Sequence, residues 1–251
     1  MNHRLVFDPR QVPWTLQAGH WPHIQQENLT ADRLRAVFQN PPVWAPELKR
    51  EPQMSLKEPA AAAVLVPIVL RGPQGQHPHV LLTQRTQHLS SHPGQIAFPG
   101  GKVDAEDSSI EHAALREAQE EVGLLPQHVQ VIGTLPTYIT GTAFHITPVV
   151  GLVSPEMSIT PNPFEVDDVF EVPLEFLMNP VNHHFHELER EGVLRRWYSM
   201  PYTESLASTP HPSSDSSSES TSGLSKERFI WGATAGMIRN LYRFLLAANS
   251  L

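Results

Sequence analysis

Three carboxylates recur at helical spacing in the middle of the chain: Glu117, Glu120 and Glu121. Residues three and four positions apart lie on one face of an α-helix, so these side chains are expected to lie close together. Carboxylates at that distance repel each other and raise one another's pKa unless a cation lies between them. Oxygen ligands of this kind suit Mg²⁺ or Mn²⁺, which favours a divalent metal site on this helix.

A glycine pair, Gly100 and Gly101, follows Phe98 and Pro99 just before this helix. Glycine lets the backbone approach a metal or a phosphate closely, and proline fixes one backbone angle. Together with the carboxylates, this loop favours metal-assisted chemistry on a phosphate or diphosphate. For the carboxylates taken alone, a solvated acidic helix face is the alternative.

The helix that carries the carboxylates is predicted from Ser109 to Val122. Ser108 and Glu111 have capping-box spacing, and Gly123 is typical of a helix C-terminus. Four apolar side chains share one face of this helix, which predicts packing against a sheet: Ala114, Leu115, Ala118 and Val122.

Apolar, β-branched runs on both sides of the helix predict buried strands. The runs comprise residues 63–70, 80–83, 129–133 and 144–150, and a further strand from Val166 turns into a short helix at Pro173. A final amphipathic helix is predicted near the C-terminus, with Ile238, Leu241 and Leu245 on one face. The chain is therefore expected to contain both strands and helices, with the carboxylate-bearing helix between strands.

Composition divides the chain into four segments. Residues 1–59 are predicted to be an N-terminal extension, with a short helix capped by Thr30 and a proline-rich connector. Residues 60–202 carry the main domain. Residues 203–226 are serine-rich, hold too few apolar groups to order themselves and are predicted to be a disordered insertion. Residues 227–251 supply a C-terminal helix that completes the domain.

The overall charge and composition exclude several classes of protein. The 251 residues have a formal net charge of −8, which makes the chain a poor candidate for nonspecific nucleic-acid binding. Cysteine is absent, so disulfides and thiolate metal sites are excluded. No stretch reaches the roughly 20 apolar residues that span a bilayer, and the N-terminus lacks the apolar run of a signal peptide. We expect a cytoplasmic protein with neither a nucleic-acid nor a membrane partner.

The segment that ends at Leu124 resembles the Nudix box, G-x5-E-x7-R-E-U-x-E-E-x-G-U, in which U is aliphatic. Its second half is matched fully by Arg116-Glu117-Ala118-Gln119-Glu120-Glu121-Val122-Gly123-Leu124. The loop before Arg116 is one residue longer than the pattern. The acidic partner of Arg116 is therefore either Asp104 or Asp107.

A second motif precedes the glycine pair. It resembles the signature of the coenzyme A diphosphatase subfamily, roughly L-L-T-x-R-[SA]-x3-R-x3-G-x3-F-P-G-G. The chain has Thr86 where serine or alanine is expected and Ser90 where a basic residue is expected. The matching residues are Leu82, Thr83, Arg85, Gly94, Phe98, Pro99, Gly100 and Gly101.

The resemblance implies a Nudix-type α/β/α sandwich with a mixed sheet, an N-terminal extension and a C-terminal helix. It implies a Nudix hydrolase that uses Mg²⁺ or Mn²⁺ to cleave the diphosphate bond of coenzyme A or its thioesters. The products are then 3′,5′-ADP and 4′-phosphopantetheine or its acyl form. Alternative substrates are ADP-ribose or a dinucleotide polyphosphate, and a further alternative is a nucleotide-binding Nudix module without turnover. A homodimer is suggested by family analogy alone.

The resemblance also assigns roles to residues of this chain. The metal ligands would be Glu117, Glu120, Glu121 and the carbonyl of Gly100, and Arg116 would be structural, orienting a glutamate. Catalytic candidates are Glu120, Glu121 and Glu165, one of which would act as the base. The candidate substrate contacts are Arg85, Gly94, Phe98 and Gly101.

Three assignments keep alternatives. Arg85 either contacts the substrate or supports its loop, and His92 either touches a phosphate or lies at the surface. The run 195–198, Arg-Arg-Trp-Tyr, either stacks on an adenine or packs in the core.

Overall fold

The carboxylate-bearing helix lies on one face of a mixed eight-stranded sheet. The computed structural model describes residues 8–17, 21–53, 55–56, 58–89, 92–190, 192–205 and 225–249. In these ranges the strands are β1 Trp14–Thr15, β2 Ala60–Arg71, β3 His77–Arg85, β4 Ile96–Ala97, β5 Gly100–Lys102, β6 Val129–Thr134, β7 Tyr138–Ile139, β8 Phe144–Val153, β9 Val166–Pro173, β10 His184–Arg190, β11 Val193–Ser205 and β12 Ser225–Trp231. The helices are α1 Ala31–Gln39, α2 Ile110–Val122, α3 Leu174–Leu177 and α4 Gly232–Asn249.

The large sheet is built around β2. This strand pairs in parallel with β8, from Ala60 opposite Phe144 to Val69 opposite Val153. It pairs antiparallel with β3 and β5. Strands β4 and β9 extend the sheet from β3, while β6 and β7 pair with β8. The sheet is therefore mixed, as predicted.

Alternating side chains of β2 separate two hydrophobic cores, as expected for a strand covered on both faces. Ala63, Leu65 and Val69 face the core beneath α2, which contributes Ala113, Ala114, Ala118 and Val122. The even-numbered residues Val64, Val66 and Ile68 face the core beneath α4, which contributes Ile238, Leu241 and Leu245. The α/β/α sandwich follows directly from this alternation.

A second, four-stranded antiparallel sheet has the order β1-β10-β11-β12. Its inner face adds Tyr198, Met200 and Ile230 to the core beneath α4. Polar and charged residues are interspersed along β10 and β11, and for that reason hydrophobic periodicity predicts no strand there. This sheet brings residues from both ends of the chain together.

The predicted start of α2 needs correction, while the predicted start of α1 and the predicted end of α2 are confirmed. Helix α2 is capped by Ser109, whose side chain accepts a hydrogen bond from the His112 N–H at 3.1 Å, so the Ser108–Glu111 capping box is wrong. Thr30 precedes α1 as predicted, but its side chain makes no capping hydrogen bond. Gly123 ends α2 in the left-handed conformation, with φ of 70°.

The predicted bounds of the serine-rich insertion are wrong at both ends. Residues 203–205 belong to β11 and residues 225–226 belong to β12, and Ser205 pairs with Ser225. The predicted C-terminal helix likewise begins only at Gly232, after β12. The remainder of the predicted insertion, residues 206–224, lies outside the described residues.

Residues of the N-terminal extension pack onto α4. Arg239, which is 1% exposed, forms an ion pair with Glu47 at 2.9 Å. The side chain of Asn240 donates to the carbonyl oxygen of Leu48 at 2.7 Å. Among the helices in the described ranges, none combines the length and apolar character needed to cross a bilayer.

Candidate functional site

Arg116, on α2, is the centre of an ion-pair network that includes carboxylates of the preceding loop and of the helix itself. Its guanidinium donates to both carboxylate oxygens of Asp107, at 3.0 and 2.9 Å, and lies 3.6 Å from Asp104. Asp107 is therefore its main acidic partner, and the guanidinium holds the pKa of Asp107 well below its usual range. The same guanidinium donates to Glu117 and Glu120, at 3.0 Å each. Arg116 thus links the loop before the helix to two of the three glutamates.

Glu121 is the most buried of these glutamates. It is 4% exposed, and its Oε2 accepts a hydrogen bond from the Gly100 N–H at 3.0 Å. Burial raises its pKa to about 7, although the Gly100 hydrogen bond and the charge of Arg85 oppose the shift. The Arg85 guanidinium lies 3.5 Å from Oε1. The helix, the glycine loop and β3 therefore meet at this carboxylate.

Glu117 and Glu120 differ in their exposure. The side chain of Glu117 is 16% exposed and that of Glu120 is 58% exposed. Burial is also the main cause of the raised pKa of Glu117. A Cβ atom added to Gly101 would lie 2.5 Å from the carboxylate of Glu117, so only glycine leaves room for this side chain against the loop. The solvent exposure of the carboxylates therefore increases from Glu117, against the glycine loop, to Glu120.

Glu165 is brought near these glutamates by a loop attached to the end of α2. The backbone N–H of Asn162 donates to the carbonyl oxygen of Glu121 at 2.8 Å, and that of Thr160 donates to Val122 at 2.9 Å. The negative charge of Glu165 contributes to the raised pKa of both Glu117 and Glu121. All predicted carboxylates of the site therefore influence one another electrostatically or through Arg116.

A pocket of about 390 Å³ opens beside the glycine pair. Strands β2, β5 and β8 form one wall, and β11 with the start of α4 forms the other. Of the predicted substrate contacts, Arg85, Phe98 and Gly101 line it, as does His92, whereas Gly94 does not. Gly94 has φ of 68° and occupies a turn, and Phe98 is 3% exposed, so its ring belongs largely to the core. Ser90 lies outside the described residues.

The connector before β2 forms a further part of the pocket wall that the sequence does not reveal. Glu51 accepts hydrogen bonds from the Tyr138 hydroxyl at 3.2 Å and from the Gly141 N–H at 2.9 Å. Its own backbone N–H donates to the Ile139 carbonyl oxygen at 2.8 Å. Glu51 and Pro52 thereby close the pocket with residues almost ninety positions away in sequence, and no local motif signals such a contact.

The chemistry of the donor set fits a divalent cation. The ligand candidates are oxygens. The buried carboxylate of Glu121 has neighbouring negative charges on Glu117 and Glu165, which the positive charge of Arg85 opposes. A bound cation would relieve that surplus negative charge. In the described ranges, no three His, Asp or Glu side chains are already gathered around one point as ligands, because Glu117 and Glu120 are turned toward Arg116.

Comparison with known families gives a match over most of this fold. The model of the NUDIX domain matches residues 61–213, which is more than half of the chain. Two solved structures match part of the chain: a Nudix hydrolase from M. smegmatis, RenU, and a C. elegans Ap4A hydrolase in a binary complex. The M. smegmatis structure is 25% identical in sequence, and the match covers 48% of this chain and 74% of that chain, with a TM-score of 0.39. The C. elegans structure is 21% identical, and the match covers 46% of this chain and 81% of that chain, with a TM-score of 0.38.

Curated relatives cover almost the whole chain. Proteins named uncharacterized Nudix hydrolase NudL from Shigella flexneri serotype 5b (strain 8401) and Enterobacter sp. (strain 638) are 38% identical over 218 residues and 35% identical over 222 residues. Each alignment covers 87% of this chain and 96% of the relative. With the glycine loop, the Arg116 network and the glutamate-bearing helix in place, the chain belongs to the Nudix hydrolase family.

Proposed function

We propose that the protein hydrolyses the diphosphate bond of coenzyme A or its thioesters, releasing 3′,5′-ADP and 4′-phosphopantetheine or its acyl form. The observation that carries the hydrolytic site is the buried Glu121 carboxylate, which contacts the Gly100 N–H and the Arg85 guanidinium, two residues that line the pocket. The choice of coenzyme A is supported by the motif from Leu82 to Gly101, which resembles the coenzyme A diphosphatase signature.

The ligands proposed for a divalent cation are Glu117, Glu120, Glu121 and the Gly100 carbonyl. Nudix hydrolases generally use divalent metal ions. When bound, Mg²⁺ or Mn²⁺ would neutralise charge on the diphosphate and lower the pKa of a coordinated water. Arg116 would orient Glu117 and Glu120 through the hydrogen bonds that its guanidinium donates to their carboxylates.

The chain's own groups would then bind the diphosphate and move one proton. Arg85 can donate two parallel hydrogen bonds to phosphate oxygens. Glu120, Glu121 or Glu165 would take the proton of the attacking water. The water oxygen bonds to one phosphorus, the bridging P–O bond breaks, and the other phosphate leaves with the bonding electron pair.

A second candidate substrate is another nucleoside diphosphate derivative, such as ADP-ribose or a dinucleotide polyphosphate. The observation that favours it is Ser90, which replaces the basic residue of the coenzyme A signature. A binding module without turnover is the third possibility. The crowded carboxylates of α2 argue against it. Their mutual repulsion destabilises the folded protein in the absence of a cation, and a binding module does not need them.

A side-by-side assay tests this assignment. The purified protein is offered coenzyme A, ADP-ribose and a dinucleotide polyphosphate, with Mg²⁺ or Mn²⁺, and the products are separated by chromatography. We expect release of 3′,5′-ADP from coenzyme A to be the fastest reaction. Faster turnover of another substrate would overturn the coenzyme A assignment while keeping the hydrolase, and absence of turnover with all three would favour the binding module.

Replacing Glu51 by alanine is expected to raise KM about three- to tenfold, with a smaller change in kcat. The substitution removes the acceptor for the Tyr138 hydroxyl and the Gly141 N–H, in the segment whose Thr140 and Thr142 line the pocket. Glu51→Gln should retain near-normal KM, because an amide can accept from the Gly141 N–H and donate to the Tyr138 hydroxyl oxygen.

Steady-state kinetics on the fastest substrate check this prediction. Gln53→Ala is the matched control, since Gln53 is an exposed residue of the same connector whose side chain donates to the Ser55 carbonyl oxygen. An equal fall in kcat for Glu51→Ala and Glu51→Gln, at unchanged KM, would show that Glu51 acts in the chemistry instead.

A further inference from the structure

The pocket has the opposite charge from the protein as a whole. Four cationic side chains line it, Arg85, Lys102, Arg195 and Arg196, against the single carboxylate of Glu51 in the described lining. The chain as a whole has a net charge of −8. A cationic lining in an acidic protein points to anionic groups of a ligand.

These cations lie on two different walls. Arg85 lies beside Glu121, and Lys102 directly follows the glycine pair, so both belong to the proposed diphosphate end. Arg195 and Arg196 lie on β11, in the second sheet. The pocket therefore offers two anion-binding regions.

Arg195 is the better of the two β11 arginines for binding a ligand. Arg196 donates to Glu187 at 2.7 Å and is 58% exposed at its side chain. Arg195 is half-buried, and within the described parts of the chain no carboxylate pairs with it. An available guanidinium in a pocket suits a phosphate, whose oxygens match its fork of donors.

The backbone around Arg195 is fixed by the second sheet. Strand β12 ends at Trp231, opposite Ser199, and the chain then turns at Gly232 into α4. At Arg195 the β11 strand therefore pairs with β10 alone, where Leu188 is opposite. The pocket occupies the space beyond the end of β12, and the first turn of α4, which has no acidic residue, lines it.

Aromatic packing holds this wall in place. Trp197 lies on the same face of β11 as Arg195 and stacks on His186, with ring centroids 5.1 Å apart and planes within 1°. His186 is itself held by the Ser199 hydroxyl at 2.8 Å. A guanidinium on such a rigid strand loses less conformational freedom on binding than one on a loop.

We propose that Arg195 is a specificity residue that binds a second anionic group of the substrate, a phosphate monoester on the nucleoside portion, while the diphosphate lies at Glu121 and Arg85. This inference rests on the proposed function. It distinguishes coenzyme A, which carries a 3′-phosphate, from dephospho-coenzyme A, ADP-ribose and dinucleotide polyphosphates, which do not.

The test compares coenzyme A with dephospho-coenzyme A for the wild-type protein and for Arg195→Ala. We expect the wild type to have a higher kcat/KM for coenzyme A. Arg195→Ala should lower kcat/KM for coenzyme A by about tenfold or more, largely through KM, and leave dephospho-coenzyme A nearly unchanged. Arg195→Lys, which keeps the charge but not the fork of donors, should recover part of the preference.

The control is Arg33→Ala, which removes one positive charge from the exposed face of α1. This variant should leave kcat/KM unchanged for both coenzyme A and dephospho-coenzyme A. An equal loss of kcat/KM on both substrates for Arg195→Ala would mean that Arg195 is structural. Wild-type kcat/KM on both substrates would mean that the second phosphate binds elsewhere. Either result overturns the proposal.

A binding measurement keeps the inference testable if neither substrate is hydrolysed. Calorimetric titration compares 3′,5′-ADP with adenosine 5′-monophosphate, in wild type and in Arg195→Ala. Tighter binding of 3′,5′-ADP that disappears in the variant would support the subsite even though the proposed function had failed. Equal affinity of the wild type for both nucleotides would overturn the subsite independently of turnover.

Discussion

Glu121→Gln is expected to lower turnover by roughly 10²- to 10⁴-fold, while the protein still folds. The amide has nearly the shape of the carboxylate and can still accept the Gly100 N–H hydrogen bond. It cannot act as a base, and it is a weaker ligand for a hard cation than a carboxylate. The loss therefore falls on the chemistry of the site and leaves its packing intact.

The same substitution should change how stability depends on pH in the metal-free protein. The Glu121 carboxyl group ionises near 4.5 in an unfolded chain but near 7 in the folded protein, because burial disfavours its charge. As pH rises between these values, the unfolded chain releases this proton first, so the free energy of unfolding falls. The shift corresponds to about 3 kcal/mol, which Glu121→Gln should largely remove.

Two measurements check these expectations. Turnover is measured with saturating Mg²⁺ or Mn²⁺, and thermal unfolding is followed with a chelator at about pH 5 and pH 8. We expect a smaller fall in Tm between the two pH values for Glu121→Gln than for the wild type, although Glu117 keeps some pH dependence. Wild-type turnover in the variant would show that the metal and catalytic assignments of Glu121 are wrong.

The two glycines before α2 are expected to respond differently to alanine. A Cβ atom on Gly100 would collide with the backbone of β2, including the Ala63 carbonyl oxygen and the Val64 Cα, at 2.6 Å from the latter. Since that backbone belongs to the centre of the sheet, Gly100→Ala should destabilise the fold by about 3 kcal/mol. On Gly101 the three atoms nearest to the Cβ atom would all belong to the carboxylate of Glu117, which can move away because it ends a flexible side chain.

Gly101→Ala should therefore fold normally and lose activity about 10- to 100-fold, because Glu117 is displaced from the loop. Denaturant unfolding and turnover at several Mg²⁺ concentrations separate the two effects. For Gly101→Ala, we expect a higher Mg²⁺ requirement with the unfolding midpoint nearly unchanged. Equal destabilisation by both substitutions would mean that the loop, and not Glu117, determines the requirement for glycine at position 101.

The parts of the fold that were predictable are those governed by local periodicity. The glutamates of α2, its end at Gly123 and the strand character of residues 63–70 all follow from spacing along the chain. The Ser109 cap was missed because two adjacent serines are equally suited to the position. In the folded protein Ser109 takes it, and its side chain accepts the His112 N–H hydrogen bond.

The long-range parts of the site were not predictable for a physical reason. Glu51 reaches the pocket through hydrogen bonds to a loop almost ninety residues away. Glu165, which only the family resemblance suggested, is positioned by backbone hydrogen bonds between its loop and the end of α2. Neither contact leaves a periodic trace in the sequence. The second sheet could not be predicted from hydrophobic periodicity either, because β11 contains the charged pair Arg195 and Arg196 among its buried residues.

The residues that match the family model are fewer than the residues that complete the core and the pocket. The match ends at residue 213, before β12 and α4, and begins at residue 61, after Glu51. Yet α4 covers one face of the central sheet, and the connector closes the pocket. A fragment cut at the family limits would expose one core to water and leave its pocket open on two sides. The unit that forms the pocket therefore extends beyond the family match on both sides, from Glu51 before it to the first turns of α4 after it.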